Sequence, residues 1–180
     1  AAEEQGELQI TDYGLSGIPI FQLSRYAARA LDEKKKVRVV VDFLPYMEKE
    51  ESRIFLEKRF EEFGWRRGED FLTGVVHKKL AVVFLKMSGI PLDQPAASAT
   101  RRQRDHLLKA MKSYEALVSS VNPFANAQVC CGGVDVREVD PKTMESKLVK
   151  DLYFAGEILD VDGICGGYNL QWAWSSGRAA

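Results

Sequence analysis

Leu152-Tyr153-Phe154-Ala155-Gly156-Glu157-Ile158-Leu159-Asp160-Val161-Asp162-Gly163-Ile164-Cys165-Gly166-Gly167-Tyr168-Asn169-Leu170-Gln171-Trp172-Ala173-Trp174-Ser175-Ser176-Gly177 is the stretch on which the reading of this chain turns. The apolar run Leu152 to Ala155 suits a buried parallel strand, and Gly156 at its carboxyl end permits close approach of another backbone or a ligand. Glu157 then stands where open α/β sheets hold their ligands, outside the carboxyl ends of the strands. After a glycine-punctuated loop, Gly166-Gly167 opens a segment of helical character. The unpaired amides and positive dipole end of such a helix face whatever fills the crevice, and an electron-rich carbonyl or a phosphate suits that position.

A dinucleotide-binding unit normally begins with a strand, a Gly-x-Gly-x-x-Gly turn and a helix, with an acidic residue downstream for the ribose. No such turn occurs in the 180 residues. The chain starts at Ala1-Ala2-Glu3-Glu4 and ends at Gly177-Arg178-Ala179-Ala180, and the expectation is that it is a piece of a longer protein.

With 46% hydrophobic residues the chain can bury a core, and its length permits one or two domains. A formal net charge of −1, built from many charges of both signs, argues against a chain-wide preference for nucleic acid or anionic membrane. No apolar stretch approaches the roughly 18 to 20 residues that cross a bilayer, so a cytoplasmic protein is expected. Cys130, Cys131 and Cys165 form neither a disulfide framework nor a metal spacing. They read as reduced thiols, and no metal site is expected.

Along the chain, Gly6 to Tyr13 reads as a short strand, followed by a helix with Ser16 as N-cap and Pro19 in its first turn. Ile20, Leu23, Ala27, Ala30 and Leu31 make its apolar stripe, leaving Arg25 and Arg29 on the other face. Val37 to Leu44 reads as a strand ended by Pro45. A helical part follows. Ile54, Phe55, Phe60 and Phe63 precede a stop at Gly64, Leu80, Val83, Phe84 and Met87 precede Ser88-Gly89, and a third helix is expected over Ser98 to Leu117. Gln128 to Val139 returns to a strand pattern, in which Gly132-Gly133 marks a bend or close backbone approach.

Gly132-Gly133-Val134, Thr143-Met144-Glu145-Ser146-Lys147, Gly156-Glu157-Ile158-Leu159-Asp160 and Gly166-Gly167-Tyr168-Asn169-Leu170-Gln171 occur in an order that resembles the bacterial FAD-dependent oxidoreductases of the BaiN/RdsA type. Tyr13-Gly14-Leu15-Ser16-Gly17 is similar to a motif of that family's insert domain, so the resemblance covers nearly the whole chain. It implies a mixed α+β fold. Residues 1–45 would be part of a β-rich insert domain, 46–120 a helical insert subdomain, and 121–180 the C-terminal strands and helix of a Rossmann-like FAD domain. The intact protein would be an FAD-dependent oxidoreductase acting on a small-molecule substrate, with NAD(P)H as a candidate electron donor. This chain alone would be inactive and would not retain FAD.

A more distant likeness to fumarate reductase type flavoproteins implies roles for individual residues. Glu157 would bind the ribityl or pyrophosphate region, and amides around Tyr168, Asn169 and Leu170 would approach the pyrimidine side of the ring, where a helix dipole stabilises negative charge. The implied cofactor-binding set is Gly156, Glu157, Asp160, Gly166, Gly167, Tyr168, Asn169 and Leu170. Asp162 reads as a turn former, Trp172 and Trp174 as core or interface residues, and no catalytic acid or base is nominated.

The rival expectation is that the helical insert is an interaction module for a protein partner or a nucleic acid. Arg101, Arg102 and Arg104 supply a local positive cluster, although such a run is more often a solvated helix start. Exposed apolar edges would favour self-association.

Overall fold

A computed structural model describes residues 1–180. Its elements run β1 (Gln9–Thr11), β2 (Gly14–Ser16), α1 (Ile18–Asp32), β3 (Val37–Val41), α2 (Lys49–Phe63), α3 (Gly68–Phe71), α4 (Lys78–Ser88), α5 (Arg101–Lys112), β4 (Tyr114–Val118) and α6 (Tyr168–Ala179). The fold is mixed α and β, with two small sheets, β1–β2 and β3–β4. The chain forms two compact units, one from Ala1–Val37 with Val118–Ala180, the other from Arg38–Leu117.

The Arg38–Leu117 unit has a dense core of its own. Phe71, Leu72, Phe84, Leu85, Leu107 and Met111 are completely shielded from solvent. At about 1.5 to 3 kcal/mol for each buried side chain, these six alone contribute roughly 10 to 20 kcal/mol toward offsetting the chain entropy of ordering the unit. Phe60 stacks on Phe71 with ring centroids 4.4 Å apart, and the Arg104 guanidinium lies 4.3 Å above the Phe60 ring. The helix ends follow local rules. The Glu48 amide donates to Glu51 Oε2 at 2.8 Å ahead of α2, the Thr100 amide donates to Gln103 Oε1 at 2.8 Å ahead of α5, and Gly89 closes α4 in the left-handed region at φ 71°.

Two features of this unit depart from expectation. The third helix stops at Lys112, because Tyr114 to Val118 alternates between half-buried and exposed positions and pairs with β3 as a strand. Lys112 Nζ marks the boundary by donating to Asp42 Oδ2 and to the carbonyls of Leu44 and Met47. The short α3 was not foreseen. It is held from outside, by Arg59 Nε donating to the Phe71 carbonyl and Arg59 Nη2 to the Thr73 carbonyl, each at 2.7 Å.

The other unit buries less. Only Val139, Met144 and Leu159 form its enclosed apolar centre, with Val134, Phe154, Val161 and Trp172 packed against them. Its first elements are a hairpin in register Gln9↔Ser16, Ile10↔Leu15 and Thr11↔Gly14, so Gly14-Leu15-Ser16 is a strand where a loop was expected. Ser16 is its buried end and Gly17 takes the cap position of α1. Gly17 is required there: φ is 98°, and a Cβ would lie 2.4 Å from the Glu7 carbonyl oxygen.

Neither of the later strand expectations is realised as a regular strand. Residues 128–133 form a loop, Val136–Glu138 is a 3-10 turn, and Leu152 to Ala155 contributes one isolated antiparallel bridge, Glu145↔Tyr153. A parallel strand needs flanking strands to take its amides and carbonyls and layers to cover both faces. Within this chain Phe154 alone of that run packs inward, while Leu152 and Tyr153 are exposed.

Candidate functional site

The glycine-rich segments meet in the unit formed by the two chain ends. Val134 and Leu159 make a parallel bridge in which the Val134 amide donates to the Ile158 carbonyl at 2.8 Å and the Asp160 amide to the Val134 carbonyl at 3.0 Å. Gly133 makes this approach feasible. A Cβ there would lie 2.4 Å from the Ile158 oxygen and 3.0 Å from the Asp160 nitrogen, both backbone atoms that cannot swing away. Of the two glycines expected to mark a bend or close approach, Gly133 makes the close approach, whereas a Cβ at Gly132 would meet nothing within 4 Å.

Glu157 is exposed and anchored by one oxygen. The Cys130 amide donates to its Oε1 at 2.6 Å, a charge-assisted bond, whereas Oε2 accepts nothing from the protein. The carboxylate is oriented with one oxygen left to accept a hydroxyl. Gly156 is held from behind by α6: its amide donates to Ser176 Oγ at 2.9 Å and its carbonyl accepts from Trp172 Nε1 at 3.2 Å. A Cβ at Gly156 would meet Ala173 at an ordinary 3.7 Å, so the glycine is needed for its φ of 75° and not for close approach.

Gly166 and Gly167 have φ of 128° and 90°, and Gly167 precedes α6 without a side chain to cap it. The first amides of α6, from Tyr168, Asn169 and Leu170, have no acceptor within the helix. A Cβ at Gly167 would meet nothing within 4 Å. This helix start is an open cradle lined by donors, which fits an electron-rich ring edge or a phosphate. The Asn169 side chain is used internally, with Oδ1 accepting from the Gly163 amide at 2.8 Å and Nδ2 donating to the Gly163 carbonyl at 3.3 Å, which leaves its backbone amide among the donors of the helix start. Tyr168 and Leu170 project exposed side chains, and the Asp160 carboxylate is also exposed.

Contacts thus run from residues 130–134 through 157–163 to the first turn of α6. Trp172 joins the apolar centre, whereas Trp174 is 69% exposed. Two long-range contacts of this region had no counterpart in the sequence reading. Asp162 is more than a turn former, since its Oδ2 pairs with Arg25 Nη1 at 3.1 Å, and Arg29 Nη2 donates to Cys131 Sγ at 3.0 Å. These partners are more than a hundred residues apart, so no local signal could have joined them. Although Cys131 is an exposed residue, partial desolvation of its thiol, reinforced by the Asp162 carboxylate, pushes the thiol up, with Arg29 opposing the shift. All three cysteines are free thiols. No helix is long and apolar enough to cross a membrane.

Residues 3–180 match the model of the HI0933-like protein Rossmann domain. The chain is 46% identical over 179 residues to the 3-dehydro-bile acid delta(4,6)-reductase of Clostridium scindens, a match covering 99% of this chain and 44% of that protein. It is 32% identical over 173 residues to the ribosomal RNA dihydrouridine synthase of Haemophilus influenzae, covering 96% of this chain and 41% of that one. The protein of the same name from Escherichia coli is 31% identical over 172 residues, with 96% and 40% covered. The chain spans less than half the length of these relatives.

Proposed function

The chain belongs to the HI0933-like Rossmann-domain family of BaiN/RdsA-type FAD oxidoreductases, and on that premise we propose that it supplies the C-terminal half of a flavin site and an insert to an FAD-dependent oxidoreductase. The observation that carries this reading is the donor-lined, uncapped start of α6 behind Gly166-Gly167, tied through Gly163 to the segment that bears Glu157. In the whole protein FAD, once reduced by a donor such as NAD(P)H, would supply the hydride. The Tyr168, Asn169 and Leu170 amides would face the electron-rich edge of the ring and stabilise charge gained on reduction, and the free oxygen of Glu157 would accept a ribityl or ribose hydroxyl. Gly156, Asp160 and the Gly166-Gly167 backbone would shape the remaining wall.

The names of the relatives suggest the reaction class. A 3-dehydro steroid with double bonds at positions 4 and 6 is a conjugated ketone, and a uracil ring becomes dihydrouridine by saturation of the double bond conjugated to its carbonyl. Both are additions of hydride and proton across a carbon–carbon double bond polarised by a carbonyl. We propose the same class here, with a small-molecule enone favoured by the higher identity to the bile acid enzyme. The Arg38–Leu117 unit, which carries its own core, would be the insert that covers the substrate.

One observation favours the interaction module as a second reading. Trp65 is 71% exposed, and the Arg66 guanidinium lies 5.4 Å above its ring and 5.0 Å above that of Phe63, an aromatic–arginine surface suited to stacking a base. Anaerobic stopped-flow separates the two. Full-length protein with reduced FAD is mixed with a steroid dienone or with a uridine-containing RNA. Reoxidation matched by saturation of the dienone supports the leading reading; reoxidation by RNA alone, with loss on Trp65→Ala, supports the second; reoxidation by neither refutes the reaction class.

A further inference from the structure

Arg25 and Arg29 lie one turn apart on α1, and neither belongs to the residue set assigned to the cofactor. Arg25 Nη1 meets Asp162 Oδ2 at 3.1 Å, with the two side chains only 31% and 21% exposed, and Arg25 Nη2 donates to Tyr26 Oη at 3.3 Å. Its Nε is buried without a partner, so the guanidinium is located by its two Nη contacts. Arg29 Nη2 donates to Cys131 Sγ. The residues these arginines hold are informative. Asp162 immediately precedes Gly163, whose amide and carbonyl are both bound by Asn169 in the first turn of α6. Cys131 immediately follows Cys130, whose amide orients the Glu157 carboxylate.

One arginine therefore grips the loop tied to the helix start, and the other grips the loop that orients the acid. We infer that Arg25 and Arg29 are positioning residues of the flavin site, with α1 acting as a strut that sets the placement of the Glu157 carboxylate and of the α6 amides. They touch neither the reacting atoms nor, in this assignment, the cofactor. Their effect passes through Asp162 and Cys131. The inference rests on the flavin reading above.

The test is FAD titration of the full-length protein, followed by fluorescence and by visible-region circular dichroism, which reports the asymmetry around the bound ring. Arg25→Met weakens FAD about fivefold and alters the visible dichroism, in line with loss of a partly buried ion pair. Arg25→Lys restores most of the affinity. Asp162→Asn reproduces the loss, and the double variant is no weaker than either single one, because both remove the same interaction. Arg29→Met gives a smaller loss, since a thiol is a weak acceptor.

Unchanged affinity and dichroism in Arg25→Met, a lower melting temperature without loss of FAD, or additive losses in the double variant overturn the inference. Should Arg25→Met fail to fold, Asp162→Asn and Arg25→Lys carry the comparison. Wild-type protein that takes up no FAD refutes the flavin reading itself, whereas equal binding by wild type and Arg25→Met refutes only the positioning role.

Discussion

Replacing Gly133 by alanine separates the contribution of close packing from that of backbone conformation, because its neighbour Gly132 provides an internal control. Both glycines have positive φ, 101° at Gly132 and 153° at Gly133. A Cβ at Gly132 meets nothing within 4 Å, so Gly132→Ala carries only the conformational penalty, about 1 to 2 kcal/mol. At Gly133, whose positive φ also favours glycine, a Cβ would collide 2.4 Å from the Ile158 oxygen, which the chain can relieve only by pulling residues 130–134 away from 157–160. That movement breaks the Val134 to Ile158 and Asp160 to Val134 hydrogen bonds, worth about 1 kcal/mol each. The difference between the two variants is then about 2 kcal/mol, roughly thirtyfold in an equilibrium constant. If the bridge forms one wall of the cofactor site, full-length Gly133→Ala binds FAD about thirtyfold more weakly than Gly132→Ala in a fluorescence titration. Equal affinities for the two variants would show that the Val134–Leu159 bridge does not shape the cofactor site.

Further outcomes follow from the same geometry. Amide hydrogen exchange should be slowest around Phe84 and Leu107, in the unit with the dense core, and faster through residues 121–133. Phe84→Ala should cost about 3 to 5 kcal/mol in the denaturant unfolding of that unit, as expected for a fully enclosed aromatic side chain. The Arg137 guanidinium and amide hold the Asp135 carboxyl down to about 2, so its contribution to stability is present above the ordinary carboxyl value of 3.8 and is lost as pH falls through about 2. Carboxyl NMR titration should return that value toward 3.8 in Arg137→Met. Cys131, with its thiol pushed up by partial desolvation and Asp162 and its sulfur engaged by Arg29, should be alkylated by iodoacetamide at pH 8 more slowly than Cys165.

Helices were the most legible part of the sequence. Ile20, Leu23 and Ala27 repeat at a spacing that only a helix uses, and Gly64 and Gly89 announce two stops, so α1, α2 and α4 fall close to where the pattern puts them. Where the reading failed, a tertiary partner decided the conformation. Leu117 satisfies a helical spacing but sits in β4, 77% exposed, because pairing with β3 outweighs a single apolar position. Phe154 belongs to a run with strand character, yet a strand needs neighbours that this chain does not place beside it. At the candidate site the glycines were legible because their backbone demands are local, while the Arg25–Asp162 and Arg29–Cys131 contacts join distant segments and carry no local pattern.

Glu157 and the Gly166-Gly167 helix start are proposed to form half of a flavin site. FAD uptake by the full-length protein, compared with Glu157→Ala and Gly167→Val, is the decisive measurement. Valine at position 167 puts its side chain into a position with no protein neighbour within 4 Å and adds strain at φ 90°, so a loss of binding in a variant that still folds reports occupation of the cradle by the cofactor. If this site is the flavin cradle, FAD binds the wild-type protein, binds Glu157→Ala less tightly and does not bind Gly167→Val. Wild-type protein without flavin, or two folded variants that bind FAD as tightly as wild type, would contradict it.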